Sequence, residues 1–320
     1  MASPRRARGA RAGALSGLLL DDLRSRLLAL ETAAPPVVVA CSGGPDSLAL
    51  LAVTNDAALD PVAVHVDHAL RPGSAGEADV VAEHAARLGA RFVAEAAPVI
   101  AGPNLEARAR AARYEALERA RHRLGASAIL IGHTADDQAE TVLLNLLRGS
   151  ASAGLGAMAS RRGNLVRPLL GVRRAETEAL CAELGFVPVR DATNDDTRRR
   201  RNWIRHEVLP RLSAGADRDL VPVLARQADV LRAESDFLDE FARAAWPDDD
   251  AVAATLVALP EVVARRAVRC WLGSPPPSLA DVDRVLAVAR GECRATEVSD
   301  RRRVSRHQGR LEVERGTVTR

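Results

Sequence analysis

The chain's 320 residues are 47% hydrophobic but only 2% aromatic, so there is length for two domains whose cores must be built from Ala, Val and Leu. All 45 basic side chains are arginine, so a fixed cation in an active site has to be Arg, a protonated His or a metal; the net charge of +3 permits a nucleic-acid partner without requiring one. Four scattered cysteines, Cys41, Cys181, Cys270 and Cys293, argue against a zinc ribbon, an iron–sulfur site or a disulfide scaffold and fit a reducing cytoplasm, and no apolar run approaches transmembrane length.

The start, MASPRRARGARAGALSGLLLDD, sets basic residues before a short Leu run, the outline of a signal peptide. Asp21-Asp22 cut that run and no convincing cleavage site follows, so residues 1–30 read as a basic tail and a first helix. Val37 to Cys41 suits a buried parallel strand, and Leu48 to Val53 the helix after it. PVAVHVDH (61–68) is a second strand, and polar residues 69–76 lead to a helix ending near Gly89. RFVAEAAP is a third strand, and Asn104 is the expected N-cap of a helix running to about Leu124. SAILIGH (127–133) is a fourth strand; Thr134 then caps a helix with acids in its first turn that stops at Gly149. LVRPLL and a helix over 173–184 add one more unit. This alternation predicts an α/β fold over about 31–215, a Rossmann-like open parallel sheet with helices on both faces.

Beyond about residue 212 the pattern changes. Leu220, Val223, Leu224, Gln227, Val230, Leu231, Phe237, Leu238 and Phe241 approximate a helical stripe with no strand close behind. Pro275 to Pro277 break the chain, and Ser278 opens a short helix with Asp281 three residues on. RRRVSRHQGRLEVERG alternates around a Gly turn like a small hairpin. A smaller, mainly helical domain is expected at about 216–320.

Five stretches carry candidate chemistry. In Ser42-Gly43-Gly44-Pro45-Asp46-Ser47 the glycines let backbone approach an anion, Pro45 suits the first helical position, and the helix N-terminus offers free N–H groups. The lysine of a GxxxxGK[ST] loop is missing, so the cradle suits a pyrophosphate that leaves, with Asp46 reaching a magnesium ion; an ordinary strand–helix turn is the plain alternative. In IGHTADDQAETVLLNLLRG, His133 stands at a strand end, the ligand-bearing edge of such sheets, and Asp136, Asp137 and Glu140 share one helix face. Partnering the helix dipole accounts for the two aspartates but does not reach Glu140. In HVDHALRP, Asp67 and His68 suit the surroundings of a nucleotide's base or ribose better than a zinc site, and a satisfied core position is the plain alternative for His65. Arg110, Arg113 and Tyr114 lie together on a helix, where solvated surface is the plain alternative; four consecutive arginines, Arg198, Arg199, Arg200 and Arg201, precede Trp203 and Arg205, a pattern suited to phosphate contacts, with core anchoring the alternative for Trp203 and Ile204.

These stretches, in this order, resemble the N-type ATP pyrophosphatase (PP-loop) superfamily, and within it the tRNA(Ile)-lysidine synthase family. SGGPDS, HVDHALRP, RYEAL, GHTADDQAETVLLNLLRG and DATNDDTRRRRNWIRHEVLP carry the likeness from about Val37 to Leu212. The SGGxDS loop marks the superfamily; GHxxDDQxET and RNxIRH select the family. The sequence departs from the family's pattern at Ala192, where proline is more usual, and at Arg199, where an aromatic is common. The resemblance implies a ligase that uses ATP to adenylate the wobble cytidine of CAU-anticodon tRNA(Ile), releasing pyrophosphate. The ε-amine of free L-lysine then displaces AMP, and the tRNA reads AUA and is charged with isoleucine. It further implies that Ser42 to Ser47, with Asp67 and His68, hold ATP, and that Asp46 and Asp137 serve Mg2+. Asp136 and Asp137 would serve the metal or the amine, Glu140 would take the lysine ammonium, and His133 and Arg113 would stabilise charge in the adenylated base. Arg198 to Arg201 and Arg205 would meet tRNA phosphates, and the 216–320 domain would choose the tRNA. A cytoplasmic enzyme is expected, with no membrane contact and an open oligomeric state, a homodimer included. A PP-loop tRNA thiolase, a small-molecule amide ligase and a non-catalytic nucleotide-binding domain are the rivals.

Overall fold

The β-branched run after Pro36 does form a strand, and the rest of the sheet is built around it. The computed structural model describes residues 20–28, 34–68, 75–100, 102–189, 196–247 and 251–315. A helix over 20–28 (α1) is followed by β1 (Val37–Ala40), α2 (Pro45–Asp56), β2 (Pro61–Asp67), α3 (Ala75–Arg87), β3 (Arg91–Ala96) and α4 (Leu105–Arg123). Then come β4 (Ile129–Ile131), α5 (Ala135–Leu147), a short α6 (Ser152–Leu155), β5 (Arg161–Arg162), β6 (Leu165–Val166) and α7 (Arg174–Glu183). The strands lie in the order β3-β2-β1-β4-β6-β5, all parallel except β5, which pairs antiparallel with β6 at the edge.

Alternation along β1 builds both layers. Val37 and Val39 join a core with Leu48, Leu50, Leu51 and Leu180, on α2 and α7. Val38 points the other way, into a core with Val62, Val64, Leu117 and Ile129, against α4. Each such Val or Leu, taken wholly out of water, contributes about 1.5–3 kcal/mol before entropy is counted. The chain leaves β1 for β2 and β3 on one side and returns to β4 on the other. The order thus reverses between β1 and β4, and a crevice beside the carboxyl ends of the strands at such a reversal is the usual ligand position in this kind of sheet.

A second packing event bears on that crevice. α8 (Arg200–Trp203), a π-helical turn (Ile204–Val208) and α9 (Leu209–Gly215) follow one another directly, then α10 (Val221–Ala245). Fully buried Ile204, with Leu209, Val221 and Ala225, packs on Ala135, Ala139 and Leu143 of α5. The arginine-rich stretch is thereby fixed against the acid-bearing helix.

The chain divides into two compact units, Met1–Asp229 and Val230–Arg320. In the second, α11 (Ala253–Ala258), α12 (Glu261–Leu272) and α13 (Leu279–Arg290) enclose Trp246, Leu256, Val268, Val285 and Leu286. A three-stranded antiparallel sheet, β7 (Ala295–Val298), β8 (Arg302–His307) and β9 (Arg310–Arg315), completes it through Val298, Val304 and Leu311. The expected hairpin is β8–β9, turned by Gln308 and Gly309 at φ 48° and 83°, the two positive values a tight hairpin turn requires. Ser278 caps α13 as read from the sequence.

Three local expectations differ. Asn104 precedes α4 but sits in the left-handed region at φ 55° and makes no capping bond, so it turns the chain rather than capping it. β4 is three residues long, leaving His133 two residues past its end. The apolar stripe on α10 is also misplaced, since Phe237 and Phe241 are 66% and 51% exposed and Val230 is exposed as well. Val221, Ala228, Ser235 and Ala242 are buried instead, spaced every seven residues, with Ala225 and Trp246 beside them. Val221 and Ala225 belong to the core against α5, and Ala242 and Trp246 to the core of the second unit, whereas the large side chains marked the stripe in the sequence.

Candidate active site

Gly43 and Gly44 carry β1 into α2. Gly43 adopts φ 83°, and a Cβ there would lie 2.7 Å from Val189 Cγ2, so only glycine fits. Its carbonyl accepts the Val189 N–H at 2.9 Å, tying the loop to the segment after α7. Pro45 occupies the start of α2, and the Ser47 hydroxyl donates to the Gly44 carbonyl at 2.9 Å and lies 3.5 Å from that of Ser42. Gly132, just past β4, has the same importance: a Cβ would stand 2.8 Å from the Asp46 carbonyl oxygen and 3.2 Å from Ser47 N. With no side chain there, the end of β4 can lie directly against the first turn of α2.

That approach gathers the acids. Thr134 opens α5 with its N–H and its hydroxyl both donating to Asp137 Oδ2, at 2.8 and 3.1 Å. Asp137 Oδ1 faces outward to Arg201 Nη2 at 2.9 Å and Arg174 Nη2 at 3.1 Å. Glu140, one turn on, is fully buried and accepts from Arg201 Nε and Arg205 Nε, each at 2.7 Å, and from Arg205 Nη2 at 3.2 Å. Asp136 is held bidentately by Arg173 at 3.1 Å and by the Arg174 backbone N–H at 2.8 Å. Asp46 accepts from the Thr177 hydroxyl and from Arg174 Nε at 3.4 Å. The Arg174 guanidinium also reaches Glu140 at 3.4 Å, so it touches the acid from the loop and two from α5 together. Carboxylates this crowded need cations among them, and arginine forks meet that need.

The charges follow from this packing. Burial pushes the Asp46 carboxyl up to about 6, against the pull of Thr177 and Arg174. Burial would also raise Asp136 and Asp137, but Arg173 and the Arg174 backbone, and Arg201 with Arg174, hold the two below the usual carboxylate range. Burial likewise holds the His133 imidazole down at about 4; Asp137 opposes it and Arg167 reinforces it. His133 is therefore neutral at pH 7, and its Nδ1 accepts from Arg167 Nε at 3.3 Å.

The other candidates are distributed as follows. His68 and Arg113 come together, Arg113 Nε donating to His68 Nε2 at 3.4 Å, while His68 Nδ1 meets the Ala97 carbonyl at 3.0 Å. Asp67, at the end of β2, is half-buried and has a partner of its own. His65 is a buried core residue against the Cys41 carbonyl. The five arginines expected at tRNA separate into two sets. Arg198, Arg199 and Arg200 are exposed, Arg198 paired with Asp196, whereas Arg201 and Arg205 turn inward to Asp137 and Glu140. Glu140, expected to receive a substrate ammonium, is the deepest point of this arginine cluster. Trp203 is partly exposed and Ile204 is the core anchor. The 69–74 part of HVDHALRP's surroundings, and Ala192, lie outside the described residues. Arg173, Arg174, Thr177 and Arg167 were missed. All of them come from LVRPLLGVRRAET, where the only signal was a pair of arginines opening a helix.

The carboxylates of Asp46 and Asp137 converge on one guanidinium, and hard oxygen donors of this kind suit Mg2+. Among the described residues no group of three or more His, Cys, Asp or Glu could hold a metal, so further ligands would come from substrate phosphates, as is usual for Mg2+. No helix among those residues is long and apolar enough to cross a membrane, and all four cysteines are free.

The PP-loop domain family matches residues 20–212. The tRNA(Ile)-lysidine synthase of Mycolicibacterium paratuberculosis is 43% identical over 289 residues, 85% of this chain and 88% of that one. The Salinispora arenicola enzyme of the same name is 42% identical over 88% of this chain and 91% of its own. Rhodococcus erythropolis has another, 44% identical over 74% and 73%. Among solved structures, the U34-tRNA thiolase NcsA from Methanococcus maripaludis is similar at TM-score 0.55, covering 68% of this chain and 80% of that one. At 16% identity that likeness is one of fold alone.

Proposed function

The chain belongs to the tRNA(Ile)-lysidine synthase family of PP-loop proteins, and from that membership we propose that it joins L-lysine to the wobble cytidine of CAU-anticodon tRNA(Ile). In the first step the base oxygen attacks the α-phosphorus of ATP; an O–P bond forms, and the bond to the β-phosphate breaks as pyrophosphate departs. In the second the ε-amine attacks the ring carbon bearing that oxygen, a C–N bond forms, AMP leaves with the oxygen, and the amine loses its proton.

The observation that carries this reading is the meeting of the SGGPDS loop with the GHTADDQAET helix across Gly132, at the open end of the sheet. Ser42 to Ser47 present backbone N–H groups and hydroxyls to the phosphates, so no γ-phosphate lysine is called for. Asp46 and Asp137 would hold Mg2+, which neutralises the departing pyrophosphate when bound. Asp136 and Asp137 supply the negative field in which an ammonium binds before giving up its proton, and Glu140 acts by fixing the arginines around them. His133 and Arg113 donate hydrogen bonds toward charge gathering on the base, with His68 orienting Arg113 and Asp67 beside the nucleotide.

The exposed Arg198, Arg199 and Arg200 are the better tRNA contacts of their stretch, and the 216–320 region supplies recognition beyond the anticodon. That second task is needed because methionine tRNAs also carry CAU. The enzyme works in the cytoplasm, where tRNA, lysine and ATP meet. Incubation with labelled lysine, ATP and a CAU-anticodon tRNA(Ile) transcript should put label into the RNA, dependent on ATP and Mg2+. RNA without label after full ATP supply would overturn the assignment.

A further inference from the structure

We infer that Arg167 is a positioning residue that locks His133 into the neutral tautomer carrying its proton on Nε2, so that the ring meets the substrate as a fixed hydrogen-bond donor. This deepens, and rests on, the lysidine-forming role proposed above. β6 runs beside β4 with Ile129 opposite Leu165 and Leu130 opposite Val166, so Arg167 emerges at the carboxyl end of the sheet next to the His133 turn. It is 6% exposed. Its backbone N–H donates to Ser160 O at 2.7 Å and its Nη1 to Ala159 O at 2.8 Å, which leaves Nε aimed at His133 Nδ1 at 3.3 Å.

A guanidinium has donors and no acceptor and does not lose its proton. The ring nitrogen facing it must therefore present a lone pair, which excludes both the imidazolium and the Nδ1–H form. The proton is left on Nε2. That atom has no partner among the described residues, yet it is not among the buried polar atoms that lack one, so it opens to solvent in the crevice. No carboxylate among the described residues forms an ion pair with Arg167, so nothing competes for its donors. The neighbouring histidines are set the other way. His65 and His68 point Nδ1 at carbonyls, those of Cys41 and Ala97, and must carry the proton there; His68 Nε2 then accepts from Arg113. His133 is thus set in one tautomer and His65 and His68 in the other, each enforced by a group that can bond in only one sense. A donor held at Nε2 costs no reorganisation when negative charge develops beside it.

The test is 15N NMR of the histidine rings in the full chain, with His133 assigned by its substitution. At neutral pH His133 should show a pyridine-type Nδ1 and a pyrrole-type Nε2, and His65 and His68 the reverse. Arg167→Met should mix the His133 tautomers and lower kcat about 10- to 100-fold with little change in either KM, the scale known for groups that orient a metal-bound histidine. Arg167→Lys, which restores a donor, should recover most of both signals. Should Arg167→Met fail to fold, His133→Gln and His133→Asn decide. Gln keeps an N–H near the Nε2 position and should retain clearly more kcat than Asn, which keeps only the acceptor facing Arg167. A wild-type His133 protonated on Nδ1, or equal losses in the Gln and Asn variants, overturns the inference. Absence of label incorporation by the wild type would sink the lysidine reading instead, and the ring tautomers would still be read independently.

Discussion

Glu140→Gln separates a carboxylate that organises the site from one that binds substrate. Glu140 is fully buried and accepts two 2.7 Å bonds, from Arg201 Nε and Arg205 Nε, with weaker ones from Arg205 Nη2 at 3.2 Å and Arg174 Nη1 at 3.4 Å. Hydrogen bonds to a charged group contribute about 1.5–3 kcal/mol each. Glutamine keeps one oxygen that can serve one arginine, but it turns an NH2 toward the other, where donor meets donor. Arg201 and Arg174 retain Asp137, so part of the loss is recovered. Removing one member of a buried ionic cluster costs about 3–5 kcal/mol, and the retained Asp137 bonds put this case near 3. For a unit the size of Met1–Asp229, each kcal/mol lowers the midpoint by about 2–4 °C, giving a fall of about 6–12 °C. Calorimetry reads the shift. Hydrogen exchange should localise the loosening to α5 and the turn over Ile204–Val208. An unchanged melting transition with a raised KM for lysine alone would refute this reasoning and return Glu140 to the substrate's ammonium.

Further substitutions probe the remaining parts. Gly132→Ala places a Cβ 2.8 Å from the Asp46 carbonyl oxygen, where only backbone could yield, and should cost about 1–3 kcal/mol and weaken ATP binding by calorimetric titration; wild-type affinity would show that β4 and α2 can part freely. Asp46, raised to about 6 by burial, gains a proton near that pH, so the Mg2+ needed for pyrophosphate release should climb as pH falls through 6, and Asp46→Ala should abolish release with the fold intact. Asp281 is the reverse case: burial would raise it, but bonds from Ser299 and Ser278 hold it at about 2, so its stabilisation is present above the ordinary carboxylate range and lost as pH drops through 2. Asp281→Ala should accordingly cost the second unit about 1–3 kcal/mol at pH 7, and its denaturant midpoint should meet that of the wild type only in strong acid. Replacing exposed Arg198, Arg199 and Arg200 by Gln should flatten the salt dependence of tRNA binding by about 0.7–0.9 for each phosphate no longer neutralised, without changing the melting curve, whereas Arg205→Gln should lower the melting curve.

The strand and helix order through α7 apart from α6 and the edge strand β5, the loop with its proline at the helix start, the capping of α5 and α13, and the β8–β9 hairpin were legible in the linear chain. Each depends on neighbours a few residues apart, through side-chain alternation, caps and turn residues. Asp46 was legible from its loop, and Asp136, Asp137 and Glu140 because they share a helix face and crowded carboxylates demand an explanation. Their partners were another matter. Arg173 and Arg174 stand 37 or 38 residues from Asp136 along the chain, and Arg205 stands 65 from Glu140. With arginine as the only fixed cation, no feature of the sequence distinguishes an arginine that closes a buried cluster from one solvated on a helix. On α10, likewise, the large apolar residues mark a stripe in the sequence, while small ones such as Ala225, Ala228 and Ala242 are the buried positions. Only the packing of Ile204 onto Ala135 and Ala139, and of α7 against α2, decides which guanidiniums meet which carboxylates. Burial leaves each acid needing a cation, and tertiary contact alone selects the cation that meets it.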